Sequence, residues 1–415
     1  VTELLLKNGS ILDPDTVTFR SGVDILVRDG VIVALGDGAS ETWAPTARVM
    51  ELNGSFVVPG LIDSHYHLVS RSDVTMDSRE VAASMIEGVV NARDCVASGV
   101  TAVRDCGCRH EGIYPLRSAI AARTVVGPDS WLAGRNPTGV LAPAHWRNVV
   151  VTGAEEMRLA VRQQHEAGAD WVKLILAHAE DPFDWGNVTE FLDDDEIAAA
   201  VDEAHSLGIS IGGHTEGWDV AARAVRLGLD ILDHAPLLSL ETTELMAARG
   251  TFYVPTVWAF SDDSGLDDSG YSAEQLDALA GWQEQHRTSV RRARASGVRI
   301  AAGSDSADAV TGRGVLAKEL HALHRCGLTT KEVLAAATTT AAELLGRADR
   351  VGRIAQGLDA DLLVVAADPL EDLGSLERPE FVIVGGELAF DSSDGGLQHT
   401  VDTDKTPGAS VRRWA

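Results

Sequence analysis

The chain has 415 residues, with 35 basic and 62 acidic side chains and a formal net charge of −27. A field of that sign repels phosphate backbones and anionic bilayers, so neither nucleic-acid nor membrane partners are expected. Hydrophobic residues at 45% and charged residues at 23% mark a globular protein rather than a disordered or fibrous one, and the length suits a large catalytic domain plus a smaller one.

Val1 to Ser10 lack a basic segment followed by a long apolar one, and no apolar run reaches membrane-span length, so a cytoplasmic protein is expected. From Val1 to about Pro59, short β-rich runs alternate with turn dipeptides: Leu4 to Leu6 before Asn8-Gly9, Val23 to Val27 before Asp29-Gly30, then Val31 to Leu35. This is the pattern of hairpins. A similar texture returns at Ala360 to Val365 and at Phe381 to Val384 before Gly385-Gly386. The two ends together predict one small β-sandwich or sheet.

Between them, from about Gly60 to Gly346, one unit recurs: a helical stretch, a glycine, a short β-rich run. Gly99, Gly168, Gly208, Gly228, Gly250 and Gly297 each precede such a run, and glycine suits the left-handed position that ends a helix. The helices are amphipathic, as in Ile197, Val201, Ala204 and Leu207 on one face. About eight strands alternating with helices predict an α/β fold, a closed (β/α)8 TIM barrel, with an open doubly wound sheet as the other architecture. The expected division is residues 1–58 and 347–415 in the terminal β-sandwich and 59–346 in the barrel. Cys95, Cys106, Cys108 and Cys326 are too few and too irregular for a disulfide framework, and Cys106-Gly107-Cys108 lacks the usual zinc-pair spacing.

Reactive residues fall at the ends of the runs, where barrel enzymes collect them. Val57 to His67 is a buried strand leading to His65 and His67, whose i, i+2 spacing points both imidazoles to one side, toward a shared cation or ordinary strand-end hydrogen bonds. Lys173 lies among apolar neighbours in Trp171 to Leu176, where an ammonium is costly. A salt bridge inside the barrel would explain it, and so would reaction with carbon dioxide to an anionic carbamate able to bridge two metals. His214 and His234 each finish a strand, and Asp305 ends the Ile300 to Asp305 run as an acid suited to a metal and to its water's proton.

These elements together resemble the amidohydrolase superfamily. Pro59 to His67 looks like its first-strand motif, and Gly352 to Gly357 with Asp359 to Leu362 resembles the sheet-return segment of members with a composite β-domain. Gly168 to Lys173 is similar to the lysine motif of binuclear members, in the imidazolonepropionase-like and Xaa-Pro dipeptidase-like branch. The resemblance implies two divalent cations, zinc first, then manganese or cobalt. His65, His67 and Asp305 would hold one, His214 and His234 the second, and carbamylated Lys173 would bridge them. It further implies a metal-bridging hydroxide as nucleophile and Asp305 as the proton carrier, acting on an amide bond of a small-molecule substrate such as a dipeptide, an N-acyl amino acid or a secondary metabolite.

His145, in the Gly134 to Trp146 loop, would meet the substrate carbonyl by the same resemblance, or else face solvent. Glu216 is expected to favour the dipole of the helix that follows it, with a cationic substrate group as the other use. Tyr253 and Thr256 would shape the pocket or pack the barrel, while His178, His321 and His324 read as structural. A mononuclear cyclic-amide hydrolase or deaminase with unmodified Lys173 is the alternative reaction, and a metal-dead scaffold is the alternative of another class. A homo-oligomer is the expected assembly, with the tail from about Asp391 to Ala415 a loose end or a strap onto a neighbouring subunit.

Overall fold

The computed structural model describes residues 3–36, 38–39, 43, 45–69, 77–142, 149–179, 187–261, 272–306, 314–394 and 396–397. The chain begins with β1 (Glu3–Asp13), β2 (Thr18–Arg28), β3 (Val31–Leu35), β4 (Arg48–Glu51) and β5 (Phe56–Pro59). The turn dipeptides do what the sequence asks of them: Asn8, Asp29 and Asn53 take positive φ of 58°, 49° and 53°, conformations that Asn and Asp tolerate better than most residues. β1 is bulged between Leu6 and Ile11, which bends this long strand so that it pairs with β4 along its first half and β5 along its second.

The middle alternates strands and helices in order: β6 (Leu61–Tyr66), α1 (Ser78–Ala97), β7 (Val100–Asp105), α2 (Ile113–Ala121), β8 (Asp129–Leu132), β9 (Pro137–Gly139), β10 (Val149–Val151), α3 (Ala154–Ala167), β11 (Trp171–Ile175). After β12 (Ala177–Ala179) and β13 (Val188–Glu190), a small antiparallel pair, come α4 (Asp194–Ser206), β14 (Ser210–Thr215), α5 (Trp218–Arg226), β15 (Ile231–His234), α6 (Leu240–Arg249) and β16 (Phe252–Val254). Four helices follow: α7 (Ala273–Ala295), α8 (Leu316–Arg325), α9 (Thr330–Ala336) and α10 (Thr339–Leu344). All six glycines expected at helix ends have positive φ, from 72° at Gly208 to 105° at Gly168. Asp193 closes a capping box with Glu196 at the start of α4, and Ser272 does the same with Gln275 for α7.

The parallel ladders form two sheets, one of β6, β7 and β8 and one of β10, β9, β11, β14, β15 and β16. Their hydrogen bonds do not make a continuous cylinder. Across one gap Asp170 N donates to Leu132 O at 2.8 Å. Across the other lies the segment 300–306, bridged to Tyr253 through Ile300 and to Tyr66 through Ser306. Ile62, Ala102, Trp131, Trp171, Ile231, Phe252 and Ala301, from β6, β7, β8, β11, β15, β16 and the 300–306 segment, meet in a single apolar cluster.

The chain returns to its beginning through β17 (Leu362–Val365), β18 (Pro379–Val384), β19 (Glu387–Asp391) and β20 (Gly396–Leu397). β17 pairs antiparallel with β5, joining both ends of the chain in one mixed nine-stranded sheet. That sheet encloses its own apolar core, with Leu4, Leu6, Ile25, Val57, Leu362, Val364 and Ile383 all buried. A second cluster crosses from the sheet to the helices and parallel strands, because Val58, Leu363 and Val365 face the other way and pack with residues such as Val96, Val100 and Leu320. All four cysteines are free, in line with their irregular spacing, and all are buried.

Candidate metal centre

His65, His67, Lys173, His214, His234 and Asp305 are all buried; Lys173 lies in the middle of β11, and the others sit at or just past the C-terminal ends of parallel strand segments. β6 delivers His65 and, one residue beyond its end, His67. The next contributions come from neighbours in register: Ile175 of β11 stands opposite His214 of β14, and Thr215 opposite His234 of β15. Ring centroids are 4.7 Å apart for His65 and His234, 4.5 Å for His214 and His234, and 5.5 Å for His65 and His67. Asp305 closes the group: its Oδ1 lies 3.4 Å from His65 Nε2 and 3.5 Å from His67 Nε2. Donor atoms of His65, His234 and Asp305 all fall within 4.8 Å of one another, a set that fits a divalent cation by position and chemistry.

Burial, with His214, His65 and Lys173 nearby, holds the His234 imidazole well below the usual histidine range. The ring is therefore neutral at pH 7 and keeps a nitrogen lone pair for a cation. Thr256 Oγ1 lies 2.7 Å from its Nδ1, and the Tyr253 hydroxyl donates to the backbone oxygens of His234 (3.0 Å) and Ala235 (3.1 Å). His67 Nδ1 is 3.1 Å from Gly107 O. Asp63 ties β6 to the 300–306 segment, accepting from Ser304 N, Ser304 Oγ and His65 N. Burial pushes its carboxyl up to about 7 against those donors.

Two charged residues here were not singled out from the sequence. Asp233 is fully buried and accepts hydrogen bonds from Lys173 Nζ through Oδ2 and from Arg104 Nη2 through Oδ1. Its Oδ1 also lies 3.3 Å from His65 Nδ1. Burial alone would raise this carboxyl, but Arg104 and Lys173 outweigh it and bring it down to about 2. Arg104 is itself buried, donates from Nε to Ser64 O at 2.5 Å, and rests its guanidinium 4.3 Å from the centre of the Trp171 ring. The signal was present in the sequence, since each is a charged residue inside an apolar strand, the same criterion that draws attention to Lys173.

Other expectations fare differently. Glu216 does not serve the dipole of α5: its Oε2 accepts from Ala179 N at 2.6 Å and lies 2.9 Å from His178 Nδ1. A tight loop after His214 turns the carboxylate back toward β12, where it finds a backbone donor and an imidazole. His178, read as structural, stands 5.8 Å from the His214 ring, and His178, His214 and Glu216 bring donor atoms within 4.8 Å of one another. Tyr253 is wholly buried and steadies the backbone rather than lining a pocket. His321 pairs with Glu377 at 3.1 Å, and His324 Nδ1 lies 2.8 Å from Leu328 O, both on α8. His145 and the tail beyond residue 397 lie outside the described residues.

The Amidohydrolase family model matches residues 56–389. Among curated proteins, the chain is similar to ochratoxinase of Aspergillus niger, 28% identical over 92% of this chain and 86% of that one. It is also similar to imidazolonepropionase of Mesorhizobium japonicum, 26% identical over 82% and 85%. Among solved structures, a prolidase complexed with N-methylphosphonate-L-proline superposes with a TM-score of 0.81 at 27% identity, covering 93% of this chain and 99% of that one. No helix among the described residues is long and apolar enough to cross a membrane. The chain belongs to the amidohydrolase family and is an enzyme acting on carbon–nitrogen bonds.

Proposed function

We propose that the protein is a binuclear metal hydrolase that cleaves an amide bond in a small molecule, a dipeptide or N-acyl amino acid before others. Donor atoms of His65, His234 and Asp305 within 4.8 Å of one another, with His67 beside Asp305, His214 beside His234 and His234 kept neutral, carry this reading. In it, His65, His67 and Asp305 would hold one cation, His214 and His234 the other, and a carbamate on Lys173 would serve both. Zinc suits the mixed nitrogen and oxygen donors. Two such cations would lower the pKa of a bound water and polarise the scissile carbonyl. The chain's own residues do the rest: Asp305 accepts the proton from the attacking water and returns it to the leaving nitrogen. Similarity to a prolidase and to ochratoxinase supports the amide substrate.

The same reading takes the two parallel sheets and the 300–306 segment as one closed (β/α)8 barrel over residues 59–346, with 1–58 and 347–415 forming the β-sandwich. The cluster of seven inward side chains supports it, as does Gly212 of β14, where an added Cβ would stand 3.1 Å from the Trp171 ring. A barrel interior is filled by side chains from several of its strands.

One observation favours a second reading: Lys173 Nζ already has an ionic partner in Asp233, as an unmodified lysine of a mononuclear cyclic-amide hydrolase or deaminase would. Elemental analysis of protein purified without chelator and supplied with bicarbonate separates the two, run beside Lys173→Ala. About two cations per chain, with one or both lost in the variant, is the expected result. A single cation indifferent to the substitution would favour the mononuclear enzyme, and none would sink the metal-hydrolase reading.

A further inference from the structure

We infer that Asp233 and Arg104 form a buried positioning pair, one carboxylate and its guanidinium, that sets both the place of Lys173 Nζ and the ring orientation of His65; this rests on the metal-hydrolase reading above. Asp233 reaches two groups of the site at once. Its Oδ2 accepts from Lys173 Nζ, while its Oδ1 lies 3.3 Å from His65 Nδ1 and leaves His65 Nε2 aimed at Asp305, 3.4 Å away. A carboxylate beside the far nitrogen of a ligating histidine favours one ring orientation and tautomer, and Asp233 stands there at ion-pair distance without an aligned hydrogen bond. Here the same carboxylate also faces the lysine.

Arg104 makes that carboxylate immobile. Its Nη2 donates to Asp233 Oδ1, its Nε donates to the backbone oxygen of Ser64, the residue before His65, and its plane lies over Trp171. Strands β6, β7, β11 and β15 are thereby tied through one side chain. Only a planar fork with several donors can hold a carboxylate and a carbonyl together while stacked on a ring, so lysine is no substitute at this position. The pair also offsets the cost of burying either charge alone.

The arrangement suits the modified lysine as well as the free one. Starting from the ammonium, two protons leave to water and the Nζ lone pair forms a bond to the carbon of carbon dioxide. One C–O π pair becomes the carboxylate charge, and one N–H stays on Nζ. That remaining N–H points where the ammonium now donates, at Asp233 Oδ2, and so fixes the rotation of the planar carbamate about its bond to the side chain.

The test measures cation affinity by chelator competition and the carbamate by its ¹³C signal after growth with labelled bicarbonate, in the parent, Asp233→Asn, Arg104→Gln and Arg104→Lys. Each variant is expected to bind cations at least about tenfold more weakly than the parent, with Arg104→Lys giving no rescue. The labelled signal is expected to vanish in Asp233→Asn. If Asp233→Asn does not fold, the double variant Arg104→Gln/Asp233→Asn, which removes both charges, is read in its place. Variants that melt earlier yet keep the parent's cation affinity and labelled signal would reduce the pair to a structural ion pair and overturn the inference. A parent with neither a labelled carbon nor bound cations would instead bring down the metal-hydrolase reading on which it stands.

Discussion

The terminal sheet and the histidine rim are built by opposite rules. In the sheet the interior is aliphatic, Leu4, Leu6, Val57, Leu362 and Val364 among others, and the left-handed backbone positions fall to glycines such as Gly22, Gly30 and Gly54 and to Asn and Asp in turns, with Val17 at φ 48° besides. At the rim the interior is ionic and imidazole-bearing, and the left-handed positions fall to His234 (φ 62°), Ala235 (37°), Thr256 (51°) and Asp305 (54°). Ala235 and Thr256 resist that conformation most, at about 1–3 kcal/mol each, and His and Asp resist it less. They are held there by specific bonds, from the Tyr253 hydroxyl to the His234 and Ala235 carbonyls and from Asp305 N to His65 O. One region spends its composition on stability, whereas the other draws on stability to aim its donors. Separate substitutions should therefore damage them separately.

The largest effect is expected at the rim. Asp305→Asn should lower kcat toward a hydrolysable dipeptide by roughly 10²–10⁴-fold, as loss of a proton carrier does, while the melting temperature holds or rises. A variant that instead melts much earlier with kcat intact would show that this carboxylate serves the fold. Next comes the sheet. Leu362 is wholly buried opposite Pro59 and Ile383, so Leu362→Ala should cost about 2–5 kcal/mol in denaturant unfolding and leave the cation content of the folded protein unchanged. Loss of cations at temperatures where the variant stays folded would break the division between the regions.

The smallest and sharpest effect concerns the link from rim to surrounding helices. Glu319 of α8 is buried and accepts from Val257 N at 3.1 Å and Trp258 N at 2.6 Å, just after the left-handed Thr256. Burial pushes its carboxyl from 4.5 up to about 8, with those two donors opposing. A raised acid contributes stability that is complete below its unfolded value and is lost as pH rises through the folded one. Stability should thus fall between pH 4.5 and pH 8, and Glu319→Gln should make that fall shallower by roughly 1 kcal/mol or more in urea titrations across this range. A parent and variant with parallel pH profiles would place the dependence on other buried acids, such as Asp63 and Asp361, both raised by burial.

What could be read in advance followed from periodicity. Strand–helix alternation, the helix-ending glycines and the pairing of both chain ends in one sheet depend on local patterns that tertiary structure had no cause to override. That His65, His67, His214, His234 and Asp305 lie near one another was legible for the same reason: they sit where a strand stops, and strand ends in this architecture share a rim. Arg104 and Asp233 stand in apolar strands as Lys173 does, but only the fold shows that they meet it. Glu216 was misread because its partners, Ala179 and His178, belong to a different strand, and no spacing along the chain records that approach. Where the hydrogen-bonded ladders stop was equally illegible, since it depends on strand stagger rather than on residue type.

A single glycine, Gly60, separates β5 from β6, and a Cβ on it would collide with Thr101 at 2.1 Å. β5 pairs through Phe56 with Val365 near the other end of the chain. During synthesis on the ribosome, the strand that anchors the first two histidines therefore waits, with one edge bare, until some three hundred further residues have emerged. Loop closure over such a span comes late in folding. The order of translation makes the anchoring of this rim among the last events in the life of the nascent chain, and until then the cell must keep an unpaired strand from finding a neighbour of its own kind.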